Sequence, residues 1–117
     1  MKRPKPADED RLQHIADSIE FILQHTGGIT EDDFYRNDVL KRAVAMDLVV
    51  LGEAANSLSE QVRTDNSDIP WREMINLRHK IVHHYFHINY VVVWEVIKTE
   101  LPQLKLQLEK LIRKENE

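Results

Sequence analysis

The segment from Asn37 to Arg63 constrains the fold more than any other part of this sequence. Apolar residues recur through it at helical spacing, yet they are too dense to form a single stripe. A helix with so wide an apolar surface must be buried on more than one side. We therefore expect one long helix that lies at the centre of the fold or carries both a core face and a subunit interface. Its apolar positions are Val39, Leu40, Ala43, Val44, Met46, Leu48, Val49, Val50, Leu51, Ala54, Ala55, Leu58 and Val62.

The remaining segments also have helical periodicity and ordinary helix boundaries. A helix over about residues 7–25 ends at Gly27 and Gly28, and a short helix follows the N-cap candidate Thr30. No alternating strand pattern is present, so we predict an all-α bundle of four to five helices. Two later helices are predicted at about 70–84 and, after the cap candidate Asn89, at 90–100. Pro102 then starts or kinks a last helix. This helix carries a leucine seam for packing on a neighbour, formed by Leu101, Leu104, Leu108 and Leu111.

Length and composition limit the classes of protein to consider. The chain has 117 residues, so we predict a flexible basic tail at 1–6 and a single helical domain at 7–117. It has no cysteine, which excludes disulfides and thiolate metal sites and is compatible with a cytoplasmic protein. No apolar run reaches the roughly 20 residues that span a bilayer, and the basic start is followed by acidic residues. With a net charge of −4, any contact with nucleic acid needs a local basic patch.

The stretch Asn76–Phe86 concentrates the residues that could carry chemistry. It holds Arg78, His79, His83, His84 and Tyr85 within eleven positions. The simplest interpretation is a helix surface, in which apolar neighbours form a buried stripe and these polar side chains face water.

A metal site is a second interpretation of the same stretch. His79, His83 and His87 fall at i, i+4 and i+8, so one helical face could present two or three imidazoles. The run contains no carboxylate and no Cys, and His87 falls near an expected helix break. We therefore predict no metal or other cofactor.

Phosphoryl chemistry without a metal is the third interpretation. A histidine can take a proton from a ribose 2′-hydroxyl at neutral pH, and an arginine can hold the phosphate and stabilise the charge of the transition state. Arg78 and His83 would be that pair. Five residues turn an ideal helix through a net angle of about 140°, so the two side chains would not share a face. Either the arginine reaches around, or the helix relaxes near residue 83, or two chains bring their copies into one cleft.

The pattern Arg, four residues, His, one residue, Tyr in "RHKIVHHY" resembles the signature of the HepT-like toxins in the HEPN superfamily of ribonucleases. The blocks "LGEAANSL" at 51–58, "IPWREMI" at 69–75 and "VVVWEVIKTELPQL" at 91–104 are also similar to the family's blocks, in the same order. The resemblance covers about residues 8–112. The chain departs from it at His79, where members often carry Asn, and at Asn76-Leu77, where they often carry Gly-Met or Gly-Leu.

The resemblance implies an all-helical homodimer with the Arg and His of both subunits in a cleft, acting on RNA. Arg78 would be the phosphate clamp, His83 the acid–base group, and Tyr85 the acceptor of AMP from a nucleotidyltransferase antitoxin. Glu53, in a matched block, would orient His83 or Arg78 or be an ordinary surface carboxylate, and His79 and His84 are supporting candidates. The alternative function is a non-catalytic helical partner of a nucleotidyltransferase.

Overall fold

The structure, a computed structural model, describes residues 6–84 and 87–116, and every regular element in those ranges is a helix. The predicted all-α class is confirmed. Of the predicted tail, only Pro6 is among the described residues. The helices are α1 (Pro6–Thr26), α2 (Glu31–Arg36), α3 (Asp38–Ser57), α4 (Glu60–Asp65), α5 (Trp71–His83), α6 (Tyr90–Glu95) and α7 (Leu101–Glu115), with a π-helical turn over Val96–Glu100.

Helix α3 is the centre of the bundle, as its dense apolar pattern predicts. It packs against α1 on one side and against α5 on another, and α1 in turn packs against α7. The leucine seam of α7 is buried, which confirms that this face packs on a neighbouring helix. The long helices therefore share one core. Its fully buried members include Ile15, Ile22, Val44, Leu48 and Leu108.

The prediction of one uninterrupted helix over residues 37–63 is wrong at its C-terminal end. Helix α3 ends at Ser57, and Leu58 takes an extended conformation (φ −65°, ψ 147°). Ser59 then caps α4, because its Oγ accepts a hydrogen bond from the backbone N–H of Val62. The buried carboxylate of Asp8 accepts the backbone N–H of Ser59 at 2.8 Å, which ties this break to the start of α1.

The predicted boundary at Pro102 is confirmed to within one residue, because α7 begins at Leu101 directly after the π-helical turn Val96–Glu100. The backbone N–H of Leu101 donates to the carbonyl of Val96, five residues earlier. A proline cannot donate to the helix, and its ring clashes with the carbonyl four residues before it. The wider turn that precedes Pro102 is a recognised way for a helix to accommodate such a disturbance.

None of the helices in the described part of the chain is long and apolar enough to cross a membrane.

Candidate active site

Helix α5 presents the Arg and His residues of the predicted motif. Its apolar side, with Trp71, Met74 and Ile81, is buried against the bundle. The helix remains α-helical through His83, and the N–H of His84 donates to the carbonyl of Lys80 at 3.0 Å. The helix therefore does not relax before His83, and the angular separation of Arg78 and His83 is that of a regular helix.

Arg78 is held by a carboxylate from the neighbouring helix. Its Nη1 lies 3.2 Å from Oε2 of Glu53 on α3. The arginine side chain is 26% exposed and the glutamate 58%, so solvent screens the pair and it contributes at most about 1 kcal/mol to stability. Of the two motif side chains considered as partners of Glu53, the structure places this exposed carboxylate against Arg78.

His79 and His83 lie side by side on the exposed surface of α5. Their ring centroids are 4.0 Å apart, with an interplanar angle of 42°. The spacing of four residues puts both rings on one face of the helix. Helix α5 of one chain therefore presents Arg78, which is held by Glu53 of α3, and on an adjacent face of α5 two exposed imidazoles that water and a substrate can reach.

The remaining residues of the motif lie at or beyond the end of α5. His84 is the exposed C-cap residue, and His87 is also exposed, with its N–H bonded to the carbonyl of His84. Because the helix ends at His83, the face that would carry His79, His83 and His87 is not continued. Within residues 6–84 and 87–116, no three His, Asp or Glu side chains form a group that could hold a metal ion. Tyr85 lies outside the described residues.

An exposed apolar strip adjoins the arginine. Val39, Met46 and Val50 follow one face of α3 at spacings of seven and four, and Glu53 comes next along that face. On α5, the exposed Val82 is one turn beyond Arg78. The three valines and Met46, which we call the α3–α5 strip, therefore meet the polar residues at the Glu53–Arg78 pair. Their exposed fractions are 81% for Val39, 61% for Met46, 40% for Val50 and 48% for Val82.

Sequence reasoning missed one residue of this arrangement, Gly52. It is buried in the C-terminal half of α3, directly against Arg78. The available signal was a glycine inside a helix, where alanine is favoured by about 1 kcal/mol.

Comparison with known proteins supports the resemblance drawn from the motif. The sequence model of a family described as ribonuclease HepT-like matches residues 15–111. A protein of Caldanaerobacter subterraneus named as a candidate RNase is 37% identical over 115 residues, which cover 98% of this chain and 99% of that protein. A protein of Thermococcus cleftensis named as the probable ribonuclease HepT is 36% identical over 107 residues, or 92% of this chain and 97% of that protein.

A third relative, a candidate RNase of Methanocaldococcus jannaschii, is 33% identical over 110 residues, which cover 94% of this chain and 91% of that protein. No solved structure matches the chain significantly. The family match includes α5 with the whole Arg-to-His stretch and extends from α1 to α7. On this evidence, the chain belongs to the HepT-like ribonuclease family of the HEPN superfamily.

Proposed function

We propose that this protein is an endoribonuclease that acts as the toxin of a toxin–antitoxin pair. The observation that carries the proposal is the family match over residues 15–111, which spans the motif that the residue chemistry had already singled out. The anchored Arg78 and the accessible His83 supply a charge clamp and a proton-transfer group.

The proposed reaction is transesterification of single-stranded RNA without a metal. His83 takes the proton of a ribose 2′-hydroxyl while that oxygen attacks the adjacent phosphorus. Arg78 stabilises the extra negative charge on the phosphate oxygens. The bond from phosphorus to the 5′-oxygen breaks, and that oxygen takes up a proton from an imidazolium or from water. The products are a 2′,3′-cyclic phosphate and a 5′-hydroxyl.

A homodimer would give this reaction its geometry. In one chain Arg78 points to Glu53 on α3, whereas His83 lies against His79 on another face of α5. Two chains related by a twofold axis can face each other across their α3–α5 strips, which covers exposed apolar area and brings both copies of the motif into one groove. The proposal therefore assigns the cleft to both subunits.

Control by a nucleotidyltransferase antitoxin is the second part of the proposal, and it rests on the motif tyrosine, Tyr85. Its phenolic oxygen would attack the α-phosphorus of ATP, with loss of pyrophosphate and release of the phenolic proton to solvent. The AMP group adds bulk and a negative phosphate two residues beyond His83. That phosphate could bind the guanidinium that the RNA backbone needs.

A non-catalytic partner of a nucleotidyltransferase is the competing function. Two observations favour it: the net charge is −4, and the charge of Arg78 is already paired with Glu53. Such a protein would bind the enzyme through its helical surface and leave RNA intact.

Cleavage by the purified protein separates the two functions. The wild type should cut single-stranded RNA in EDTA and leave the 2′-deoxy analogue intact, and His83→Ala should lose the activity. His14→Ala is the matched control, because His14 is an exposed histidine on α1. Cleavage that needs a divalent metal, or that persists on the deoxy analogue, would contradict the mechanism. Absence of cleavage by the wild type on any RNA would favour the non-catalytic partner.

Intact-mass spectrometry tests the control mechanism. The protein co-expressed with the nucleotidyltransferase should gain the mass of AMP, and Tyr85→Phe should not. Tyr90→Phe, five residues further along the chain, is the control that should still be modified. An unmodified toxin that is inhibited in a stable complex would rule out the covalent mechanism in favour of steric blocking of the groove.

A further inference from the structure

Helices α3 and α5 approach each other closely at Gly52. A Cβ atom built on this residue would lie 2.4 Å from Cβ of Arg78 and 2.8 Å from the carbonyl oxygen of Met74. Both distances are too short for real contacts, and one of the two partners is backbone. No side chain fits between the helices here while they keep this separation.

The glycine is not explained by the conformation of its own backbone. Among the described residues, the only positive φ angle belongs to Gly28 in the turn after α1, so Gly52 has ordinary helical geometry. A glycine in a helix interior is less favourable for the helix than alanine. What the glycine makes possible in exchange is the close contact between α3 and Arg78.

We propose that Gly52 is a positioning residue for Arg78. The missing side chain lets the first carbons of the arginine lie directly on α3, and the next residue, Glu53, then meets the guanidinium at 3.2 Å. Gly52 determines how closely the arginine stem packs on α3, and Glu53 determines the direction in which the guanidinium points. We call this pair of adjacent residues the arginine seat. Its catalytic meaning rests on the proposed ribonuclease function, in which Arg78 is the phosphate clamp.

The seat also decides which part of the guanidinium remains available. Nε of Arg78 is buried and has no hydrogen-bond partner in the part of the chain that the structure describes. Glu53 occupies Nη1. Nη2 and the second N–H of Nη1 are therefore the part of the group left for a phosphate, and they are presented from a stem packed against α3. A planar group fixed in this way can bind a phosphate in one defined orientation.

Adding a single methyl group at Gly52 should displace Arg78 from the arginine seat. Bringing the Cβ–Cβ distance from 2.4 Å to an ordinary contact of about 3.4 Å requires Arg78 or the whole of α5 to move by about 1 Å. A displacement of that size at a catalytic group can reduce a rate by about 100-fold. Gly52→Ala should therefore lower the cleavage rate of the folded protein by about that factor, although it favours the helix locally.

Hydrogen exchange at the arginine Nε–H groups, followed by NMR, tests the seat independently of catalysis. Arg63 supplies an internal control, because its Nε is also buried without a partner among the described residues. In Gly52→Ala, exchange at Nε of Arg78 should accelerate while exchange at Arg63 stays unchanged. In the wild type, Arg78 should exchange more slowly than the exposed Arg72.

Three results would overturn the proposal. The first is that Gly52→Ala accelerates exchange equally at Arg63 and Arg78, which would mean general destabilisation. The second is that Gly52→Ala changes neither the exchange at Arg78 nor the cleavage rate. The third is that Nε–H of Arg78 already exchanges rapidly in the wild type. The last measurement decides the question even if Gly52→Ala does not fold. Selective acceleration at Arg78 in a protein whose wild type cleaves no RNA would support the seat and contradict the ribonuclease function.

Discussion

Arg78 has a side chain whose two ends lie in different environments. Its first carbons lie against Gly52 and its Nε is buried, whereas the guanidinium end reaches the half-exposed Glu53. The ion pair is too exposed to matter much for stability. The ion pair instead fixes the orientation of the guanidinium group. This orientation matters because a guanidinium is planar and binds a phosphate through hydrogen bonds of fixed geometry.

Substitution of Arg78 by lysine should therefore abolish most of the activity that the proposed function assigns to it. Lysine keeps the charge but cannot form two parallel hydrogen bonds to a phosphate. We expect a loss of about 100-fold or more in the cleavage rate, nearly as large as for Arg78→Ala. The free energy of unfolding should change by less than about 1 kcal/mol.

Arg72→Lys is the matched control, because Arg72 is an exposed arginine on the same helix. It should retain wild-type activity. An Arg78→Lys protein with most of its activity would show that a point charge suffices and would remove the argument for a bidentate clamp.

Asp47 is a titrating group outside the motif for which the structure predicts a pH effect. Burial raises the pKa of its carboxyl, and the hydrogen bond of Ser18 and the charge of His25 only partly oppose this. The raised pKa means that the folded state holds the proton more tightly than the unfolded state. The resulting stabilisation is complete below the pKa of the unfolded chain and is lost as the pH rises through the pKa of the folded protein.

Asp47→Asn removes this ionisation and keeps the size of the side chain. The melting temperature of the variant should therefore rise relative to the wild type as the pH increases across the acidic range above an ordinary aspartate pKa. Thermal melts at a series of pH values measure this difference. A difference that is constant with pH, or that shrinks as the pH rises, would contradict the assigned direction.

The sequence could predict contacts within one helix of the site but not contacts between two helices. The neighbouring residues His79 and His83 are four residues apart on one helix, so their spacing alone places the two rings together. The choice of Glu53 between Arg78 and His83 depends on the distance and rotation between α3 and α5, which no local spacing records. Gly52 sets that distance, and its contacts are visible only in the structure.

At the scale of elements, apolar periodicity located the helices but not every break in them. Leu58 and Val62 are both buried, so the apolar pattern continues across the end of α3 into α4. The backbone nevertheless changes course at Leu58, and Ser59 starts a new helix. The pattern reports which side chains face the core, whereas the break is fixed by backbone hydrogen bonds, one of them to a carboxylate 51 positions away in sequence.

The buried Asp8 should be important for this junction. Asp8→Ala removes the acceptor of the Ser59 N–H and leaves a part-buried donor unpaired. We expect the free energy of unfolding to fall by about 1–3 kcal/mol. Chemical denaturation of the two proteins gives this difference directly.

Asp10→Ala, two residues further along α1, is the control, because Asp10 is exposed. It should change stability by less than about 0.5 kcal/mol. Equal effects of the two substitutions would indicate that the loss comes from helix-end charge and not from the bond to Ser59.

At the scale of the whole molecule, the sequence predicted a central helix with more apolar surface than one core face requires. The structure accounts for most of that surface through contacts of α3 with α1 and α5. The apolar residues that remain exposed on α3 are not scattered, since Val39, Met46 and Val50 share one face that leads to Glu53. A single chain gives this face no partner among the described residues, and the partner we propose for it is a second copy.

A charge in the middle of the α3–α5 strip should therefore separate the subunits. Met46→Glu places a carboxylate where the two strips would meet, and in a twofold dimer the two new charges would also face each other. Light scattering at micromolar concentration should give the dimer mass for the wild type and the monomer mass for Met46→Glu. If the groove needs both chains, cleavage should be lost in the same variant, although Arg78 and His83 are unchanged.

The matched control is Val91→Glu. Val91 is a 53% exposed apolar residue on α6, outside the strip, so this variant carries the same added charge and should remain a dimer with full activity. Co-expression of Arg78→Ala with His83→Ala gives a second, independent measurement. Mixed dimers should regain part of the activity, because one groove can then combine the intact His83 of one subunit with the intact Arg78 of the other. A monomeric wild type would contradict the proposed dimer, and a Met46→Glu monomer that cleaves RNA normally would mean that one chain forms the complete site.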